Sequence, residues 1–220
     1  MQRSFRRVPR HIAIIPDGNR RWAKERGLNK EEGYGHGLAP ARALYEEGMR
    51  LGIEEVSVYG FTQDNTRRAQ VQVAAFQRAC VQFALEMNHA GVPLQIIGNA
   101  HSPLFPRELV PFCRVPNARQ GWPKINMLVN YSWRWDLDVG IQAAEQGRAA
   151  SWLDGLASRD VTRIDLMVRW GGRCRLSGML PIQTVYADIY VVDALWPDFE
   201  TRHFHDALAW YQTQDVTLGG

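Results

Sequence analysis

Six short, almost continuously apolar runs alternate along the chain with longer stretches whose apolar residues recur every three or four positions. The runs are 11–15, 55–61, 93–98, 124–131, 164–168 and 187–192, the first of them reading His-Ile-Ala-Ile-Ile. A strand without polar alternation is buried on both faces, which is the habit of a parallel sheet. Parallel neighbours need long crossovers, and the intervening stretches 19–27, 37–52, 68–89 and 135–150 read as helices that supply them, while 204–214 reads as a closing helix. The expected fold is therefore α/β: a single domain with a central, mostly parallel six-stranded sheet covered by helices. Residues 1–10 read as a basic N-terminal tail and 11–220 as the domain.

Length and composition agree with that reading. The 220 residues, 45% of them hydrophobic, can bury a core and exclude intrinsic disorder. No run approaches the roughly 20 apolar residues of a spanning helix, so no membrane span is expected. The start, Met1 to Arg7, is basic but has no apolar stretch, so no signal peptide is expected. Three widely spaced cysteines, Cys80, Cys113 and Cys174, suit a reducing, cytoplasmic setting. The net charge of +3 is small, yet Arg far outnumbers Lys, which occurs only at 24, 30 and 124. Arg presents a planar fork that matches phosphate and carboxylate. Local anion contacts are expected, not adhesion to nucleic acid.

In an open parallel sheet, ligands bind beyond the carboxyl ends of the strands. After the first run comes Pro16-Asp17-Gly18-Asn19-Arg20-Arg21-Trp22. Gly18 permits a tight turn with its N–H groups free, and the helix start beyond it favours an anion. Arg20 or Arg21 can add a charge-assisted fork. A carboxylate there, Asp17, makes sense if a divalent cation bridges it to phosphate; helix capping by Asp17 or Asn19 is an equally common use of such residues. After the second run comes Thr62-Gln63-Asp64-Asn65-Thr66-Arg67-Arg68, and after the fourth Asn130-Tyr131-Ser132-Trp133-Arg134. The fifth is followed by Arg169-Trp170-Gly171-Gly172-Arg173-Cys174-Arg175-Leu176-Ser177-Gly178, with three Arg and three Gly in ten residues. One such cluster is usually a solvated charge run. Repetition at successive strand ends points to a phosphate edge. The helix expected over 68–89 is apolar on several sides. Burial between layers is the common reason for that pattern; a face lining a pocket for an apolar tail is the other.

The stretch from His11 to Ala23 closely resembles the first signature of the cis-prenyltransferases, the family typified by undecaprenyl diphosphate synthase. The similarity continues through Gly35-His36, Tyr59 to Asn65, Asn130-Tyr131, Ile164 to Arg169, Arg175 to Ser177, Tyr186 to Tyr190 and Leu195 to Phe199, in the family's order. The resemblance implies a homodimer and a Mg²⁺-dependent joining of isoprenoid diphosphates. Asp17 would then sit at the Mg²⁺-diphosphate of the allylic substrate, with Asp188 standing where the family's second metal-holding acid falls. Gly18, Asn19, Arg20, Arg21, Trp22, His36 and Arg68 would surround that diphosphate, with Thr62 and Asn65 close to the reacting centre. Arg169, Arg175 and Ser177 look like the second substrate's diphosphate site.

Several positions depart from the family pattern. Pro16 replaces a usual Met, Arg20 a small residue, and Thr66 an aromatic one. Ser132-Trp133 stands where Arg and Gly are usual, and 28–34 needs an insertion beside Glu31 and Glu32. The fifth-run loop has Trp170 for Thr, expected to add a wall, and Arg173 for Glu, reversing a charge. The end reads Asp215-Val216-Thr217-Leu218 instead of a basic aromatic turn. Because most changes surround the isopentenyl diphosphate position, the expectation is an irregular branch of the lavandulyl type. It would join dimethylallyl diphosphate to dimethylallyl or geranyl diphosphate, head to middle. A regular head-to-tail synthase using isopentenyl diphosphate is the alternative, and a noncatalytic partner subunit of the same fold a second. The last would be expected to lose Asp17 or the paired Arg. A nucleotide- or RNA-binding protein would need a glycine fingerprint or a broad basic face, and neither is present.

Overall fold

A computed structural model describes residues 4–215 of the chain. Its six strands are β1 (His11–Ile15), β2 (Glu55–Tyr59), β3 (Leu94–Ile97), β4 (Lys124–Leu128), β5 (Leu166–Trp170) and β6 (Asp188–Val192). Every pairing is parallel, in the order β3-β4-β2-β1-β5-β6. The chain runs from β1 to one side through β2, β3 and β4, then crosses to the other side of β1 with β5. The switch point therefore lies between β1 and β5, where a crevice opens at the carboxyl ends.

The period of two along each strand sorts the core into two layers. Ile12 and Ile14 of β1 join Leu166, Val168 and Trp170 of β5 on the face covered by α3 (Leu38–Arg50), α4 (Gln70–His89) and α6 (Thr201–Tyr211). Ala13, Ile15 and Met167 face the other layer, beneath α5 (Trp133–Glu145) and the segments after it. Among the described residues no helix is long and apolar enough to cross a membrane.

The boundaries differ from expectation where tertiary contacts intervene. The sheet is wholly parallel. Strand β5 starts and ends two residues later than its apolar run suggests, because a buried Arg169 and then Trp170 continue it. Helix α4 begins at Gln70, since Arg68 is extended at the end of a 3₁₀ turn (Gln63–Arg67). The one-turn α2 (Gly33–His36) has no periodic signature. It packs against α1 (Asn19–Glu25), and a Cβ at Gly33 would overlap the Asn19 carbonyl oxygen. The described part of the basic tail is docked: Arg7 lies 4.2 Å over the Tyr211 ring, and Phe5 packs on His205 at 5.6 Å. Residues 1–3 and the altered end at Val216–Leu218 lie outside the described residues.

Candidate active site

The turn after β1 is fixed from three directions. Asp17 N–H donates to the Ile15 carbonyl at 2.9 Å, and the Asp17 carbonyl accepts from Trp196 N–H at 3.0 Å. Gly18 has φ 113°, and a Cβ there would come within 2.9 Å of the Leu195 side chain. Only glycine meets both demands. Asn19 Nδ2 donates to the Pro16 carbonyl at 2.9 Å and closes the turn, leaving its buried Oδ1 without a partner.

Asp17 projects into the crevice between two guanidinium groups. Arg169 Nη2 lies 2.8 Å from its Oδ2, and Arg21 Nη2 lies 3.6 Å from its Oδ1. Arg169 is only 4% exposed. Its Nη1 donates to the Arg175 carbonyl and to Ser177 Oγ, both at 2.7 Å. Arg21 also donates to the Gly171 carbonyl at 2.9 Å, where a Cβ would collide with the guanidinium. The loop after β5 is thus stitched to the turn after β1 through two arginines. Gly171, Gly172, Ser177 and Gly178 all have positive φ, and the Gly171 and Gly172 N–H groups donate to the carbonyls of Ala194 and Val192.

On the opposite wall, Thr62 and Asn65 form a reciprocal cap: Thr62 N–H donates to Asn65 Oδ1 at 3.1 Å. Arg68 Nη1 donates to the Tyr34 hydroxyl at 2.8 Å. Tyr34 in turn stacks on Phe76 with ring centres 4.5 Å apart, and Phe76 meets the buried Phe61 edge-on at 5.7 Å. Tyr59 donates to the Ser177 carbonyl at 2.7 Å. Burial pushes the phenols of Tyr34 and Tyr59 up, so both are neutral, Tyr34 accepting from Arg68 and Tyr59 donating to Ser177.

These groups enclose a cavity of about 680 Å³ at the switch point. Of the residues expected at the site, Asp17, Gly18, Asn19, Arg20, Arg21, Thr62, Asn65, Arg68, Arg169, Arg175 and Ser177 line it. Arg173, Lys24 and Lys30 line it as well, giving eight cationic side chains against the two carboxylates of Asp17 and Asp64. Sequence reading missed both lysines as site residues. Lys24 lies one helical turn beyond Arg20 and Arg21 on α1, a spacing that could have found it; Lys30 comes in through the loop before α2. Tyr34 and Tyr59 also went unseen, because aromatic residues in a helix or strand look like core; Phe76, on the helix with a pocket-lining face as its alternative, lines the cavity.

Three expected residues lie elsewhere. The Trp22 indole donates to Asp198 at 2.7 Å and packs on His36 with ring centres 4.5 Å apart, and neither lines the cavity. Asp188 opens β6 at the amino end of the sheet, opposite to Asp17, and this chain does not bring the two together. Two departures from the family pattern also fall outside. The wall expected from Trp170 is absent. Alternation along β5 turns its side chain away from the face of Arg169, and it is fully buried against Trp196 and Phe199 at 4.8 and 5.7 Å. Trp133 covers Gly178 on the outer side of the loop.

Among the described residues, no three His, Cys, Asp or Glu side chains gather as a metal site. Asp17 alone offers a carboxylate beside the central arginines. Magnesium is commonly held by one or two carboxylates together with substrate phosphates. The donor set therefore fits a magnesium ion that arrives with a diphosphate.

Residues 15–219 match the family model Prenyltransf, "Putative undecaprenyl diphosphate synthase". The chain is 32% identical over 229 residues to the ditrans,polycis-undecaprenyl-diphosphate synthase ((2E,6E)-farnesyl-diphosphate specific) of Pectobacterium atrosepticum, covering 96% of this chain and 90% of that protein. It is 30% identical to an isoprenyl transferase of Nitrosomonas europaea, covering 96% and 86%. Its fold is similar to the crystal structure of lavandulyl diphosphate synthase from Lavandula x intermedia in complex with dimethylallyl diphosphate, with a TM-score of 0.83 at 24% identity over 96% of this chain and 98% of that one. The chain is an enzyme of the undecaprenyl diphosphate synthase family, the cis-prenyltransferases that condense isoprenoid diphosphates.

Proposed function

We propose that the protein is a short-chain, head-to-tail synthase that joins an allylic diphosphate to isopentenyl diphosphate. The observation that carries this reading is Asp17, held between Arg169 and Arg21 at the switch point and facing a cavity lined by eight cations. Arg20, Arg21, Arg68 and Asn19 would bind the allylic diphosphate, and Arg169, Arg175 and Ser177 would orient its partner. A magnesium ion chelated by the allylic diphosphate would meet Asp17, and it supplies neutralisation of the leaving group. The arginines around it add fixed positive charge where negative charge develops as the C–O bond breaks. The partner's double bond then attacks the allylic carbon, and loss of a proton restores a double bond. Thr62 and Asn65, each fixing the other, shape the wall beside that centre.

Product length would follow from the aromatic lining. The stacked Tyr34 and Phe76 line the cavity, and 680 Å³ lies within the roughly 300–1,000 Å³ of small-molecule pockets. We also infer a homodimer. Trp133, Ile141, Trp152, Leu153, Ile182, Val185 and Tyr186 are exposed apolar residues on α5 and on the segments leading to the edge strand β6. Sedimentation of the purified protein at twice the monomer mass is the expected result.

A head-to-middle, lavandulyl-type reaction is favoured by one observation only, the cation Arg173 in the cavity. Trp170 and Trp133, the bulky departures that suggested it, face elsewhere, and likeness to the lavandulyl enzyme at 24% identity bears on fold alone. Incubation with Mg²⁺ and dimethylallyl, geranyl or farnesyl diphosphate, with and without isopentenyl diphosphate, separates the two. Product is expected only when isopentenyl diphosphate is present. Product from dimethylallyl diphosphate alone would establish the irregular reaction instead.

A further inference from the structure

Two of the cavity's arginines share the Asp17 carboxylate, but Arg68 does not. Among the described residues its side chain has one hydrogen-bond partner, the Tyr34 hydroxyl, which accepts from Nη1 at 2.8 Å. The backbone of Arg68 is extended where the 3₁₀ turn ends, so its guanidinium stands at the tip of a long side chain outside any helix. Such a side chain has many rotamers, and giving them up on binding an anion costs affinity. A carboxylate partner would fix the direction but would also offset the charge. A neutral hydroxyl fixes the direction and leaves the charge whole.

Tyr34 can serve in this way because it is itself held. It is 4% exposed, and its ring lies within 5° of parallel to that of Phe76, with centres 4.5 Å apart. Phe76 in turn rests on Phe61 of the core. The backbone of Tyr34 belongs to α2, where a Cβ on Gly33 would overlap the Asn19 carbonyl oxygen. The hydroxyl is thereby referred to the turn that carries Asp17, whereas Arg68 belongs to the wall that follows β2. One hydrogen bond joins the two. A phenylalanine would stack on Phe76 equally well, so packing alone does not account for the hydroxyl.

We propose that Tyr34 is a positioning residue, whose hydroxyl aims the Arg68 guanidinium at the allylic diphosphate before the substrate arrives. Its ring and its hydroxyl then have separate duties, the ring in the aromatic lining and the hydroxyl behind the charge. This rests on the reading of Arg68 as a ligand of the allylic diphosphate. Tyr34 touches no reacting atom and acts through Arg68 alone.

Calorimetric titration of the intact protein with dimethylallyl thiolodiphosphate, in Mg²⁺ and without isopentenyl diphosphate, tests it. Tyr34→Phe keeps the stacked ring and is expected to bind the analogue about tenfold more weakly, the worth of one hydrogen bond to a charged group. Arg68→Gln should weaken binding at least as much. Adding Tyr34→Phe to Arg68→Gln should then change nothing further, because the hydroxyl acts only through that guanidinium. Tyr45→Phe, which loses a hydroxyl bonded to the Pro123 carbonyl away from the cavity, should bind as the wild type does. In turnover, Tyr34→Phe should raise KM for the allylic substrate and leave both KM for isopentenyl diphosphate and product length unchanged. Wild-type affinity in Tyr34→Phe, or a further loss in the double variant, would overturn the proposal. So would an equal rise in both KM values, or a changed product length at unchanged KM, which would leave Tyr34 as a wall only. The affinities need no turnover, so a wild type that binds the analogue but does not use isopentenyl diphosphate would sink the head-to-tail reading alone. A wild type that does not bind the analogue would overturn the proposal with it.

Discussion

At Asp17 the protein places a carboxylate in a cavity lined by eight cationic side chains, and the surrounding residues show how that is tolerated. Arg169 and Arg21 flank it, and each is also tied to the β5 loop, so the carboxylate serves as the joint between two strand ends. Gly18 sets the direction of the joint. Replacing Gly18 with Ala forces a side chain into positive φ and against Leu195. Strain and overpacking each cost about 1–3 kcal/mol. The variant should therefore lose about 2–6 kcal/mol of stability and most of its turnover, measured by urea titration and product assay. The turn was legible in the sequence, since Pro-Asp-Gly-Asn after an apolar run signals it. What selects glycine was not legible, because Leu195 is distant in the chain.

At the scale of elements, β5 and α4 each send one side chain into the cavity, Arg169 and Phe76. Alternation along β5 sends Arg169 to the cavity and Trp170 into the core. Restoring the family's usual residue by Trp170→Thr should open a void and destabilise the fold by about 3–5 kcal/mol. Its choice of substrate should stay the same. A changed ratio of products with unchanged stability would contradict the buried placement. Helix α4 divides its apolar residues three ways, which explains its lack of a single stripe. Val73, Cys80, Phe83, Ala84 and Met87 enter the core, Phe76 lines the cavity, and Val81 and Leu85 border a groove with residues 103–106. Burial between layers accounts for the first group. Phe76→Ala should widen the cavity and shift products toward longer chains, read by chromatography of the dephosphorylated alcohols. An unchanged length would remove Phe76 from that role.

Across the whole molecule, the two ends of the sheet have opposite characters. The carboxyl ends gather eight cationic side chains around a cavity with two carboxylates. The amino ends bury a closed polar network: His11 Nε2 lies 2.8 Å from Ser57 Oγ, its Nδ1 lies 3.0 Å from the Thr162 carbonyl, and Lys124 pairs with Glu55 at 2.9 Å. Burial holds the His11 imidazole below its ordinary value of 6.5 against the raising pull of Glu55, the Thr162 carbonyl and Asp165, while Lys124 lowers it further. The native state then binds fewer protons than the unfolded chain between the lowered value and 6.5. Stability is full above 6.5 and falls as pH drops through that window. Denaturant unfolding across pH 7.5 to 5.5 should show the decline, and His11→Asn should flatten it. A wild-type profile with no slope there would contradict a neutral buried imidazole.

Periodicity in the sequence determined the wound α/β class, the six strands and the Arg-rich strand ends, because burial on one or two faces leaves a local pattern of two or 3.6 residues. Family signatures added the order of the motifs. Spacing could not tell which neighbours would face one another. Only the tertiary structure decided that Lys30, Tyr34 and Tyr59 share a cavity with Asp17, while Trp22 and His36 pack on each other and Asp188 stands at the far end of the sheet. A side chain's face follows from strand register and from crossovers that bring distant segments together, and neither is encoded in the residues beside it.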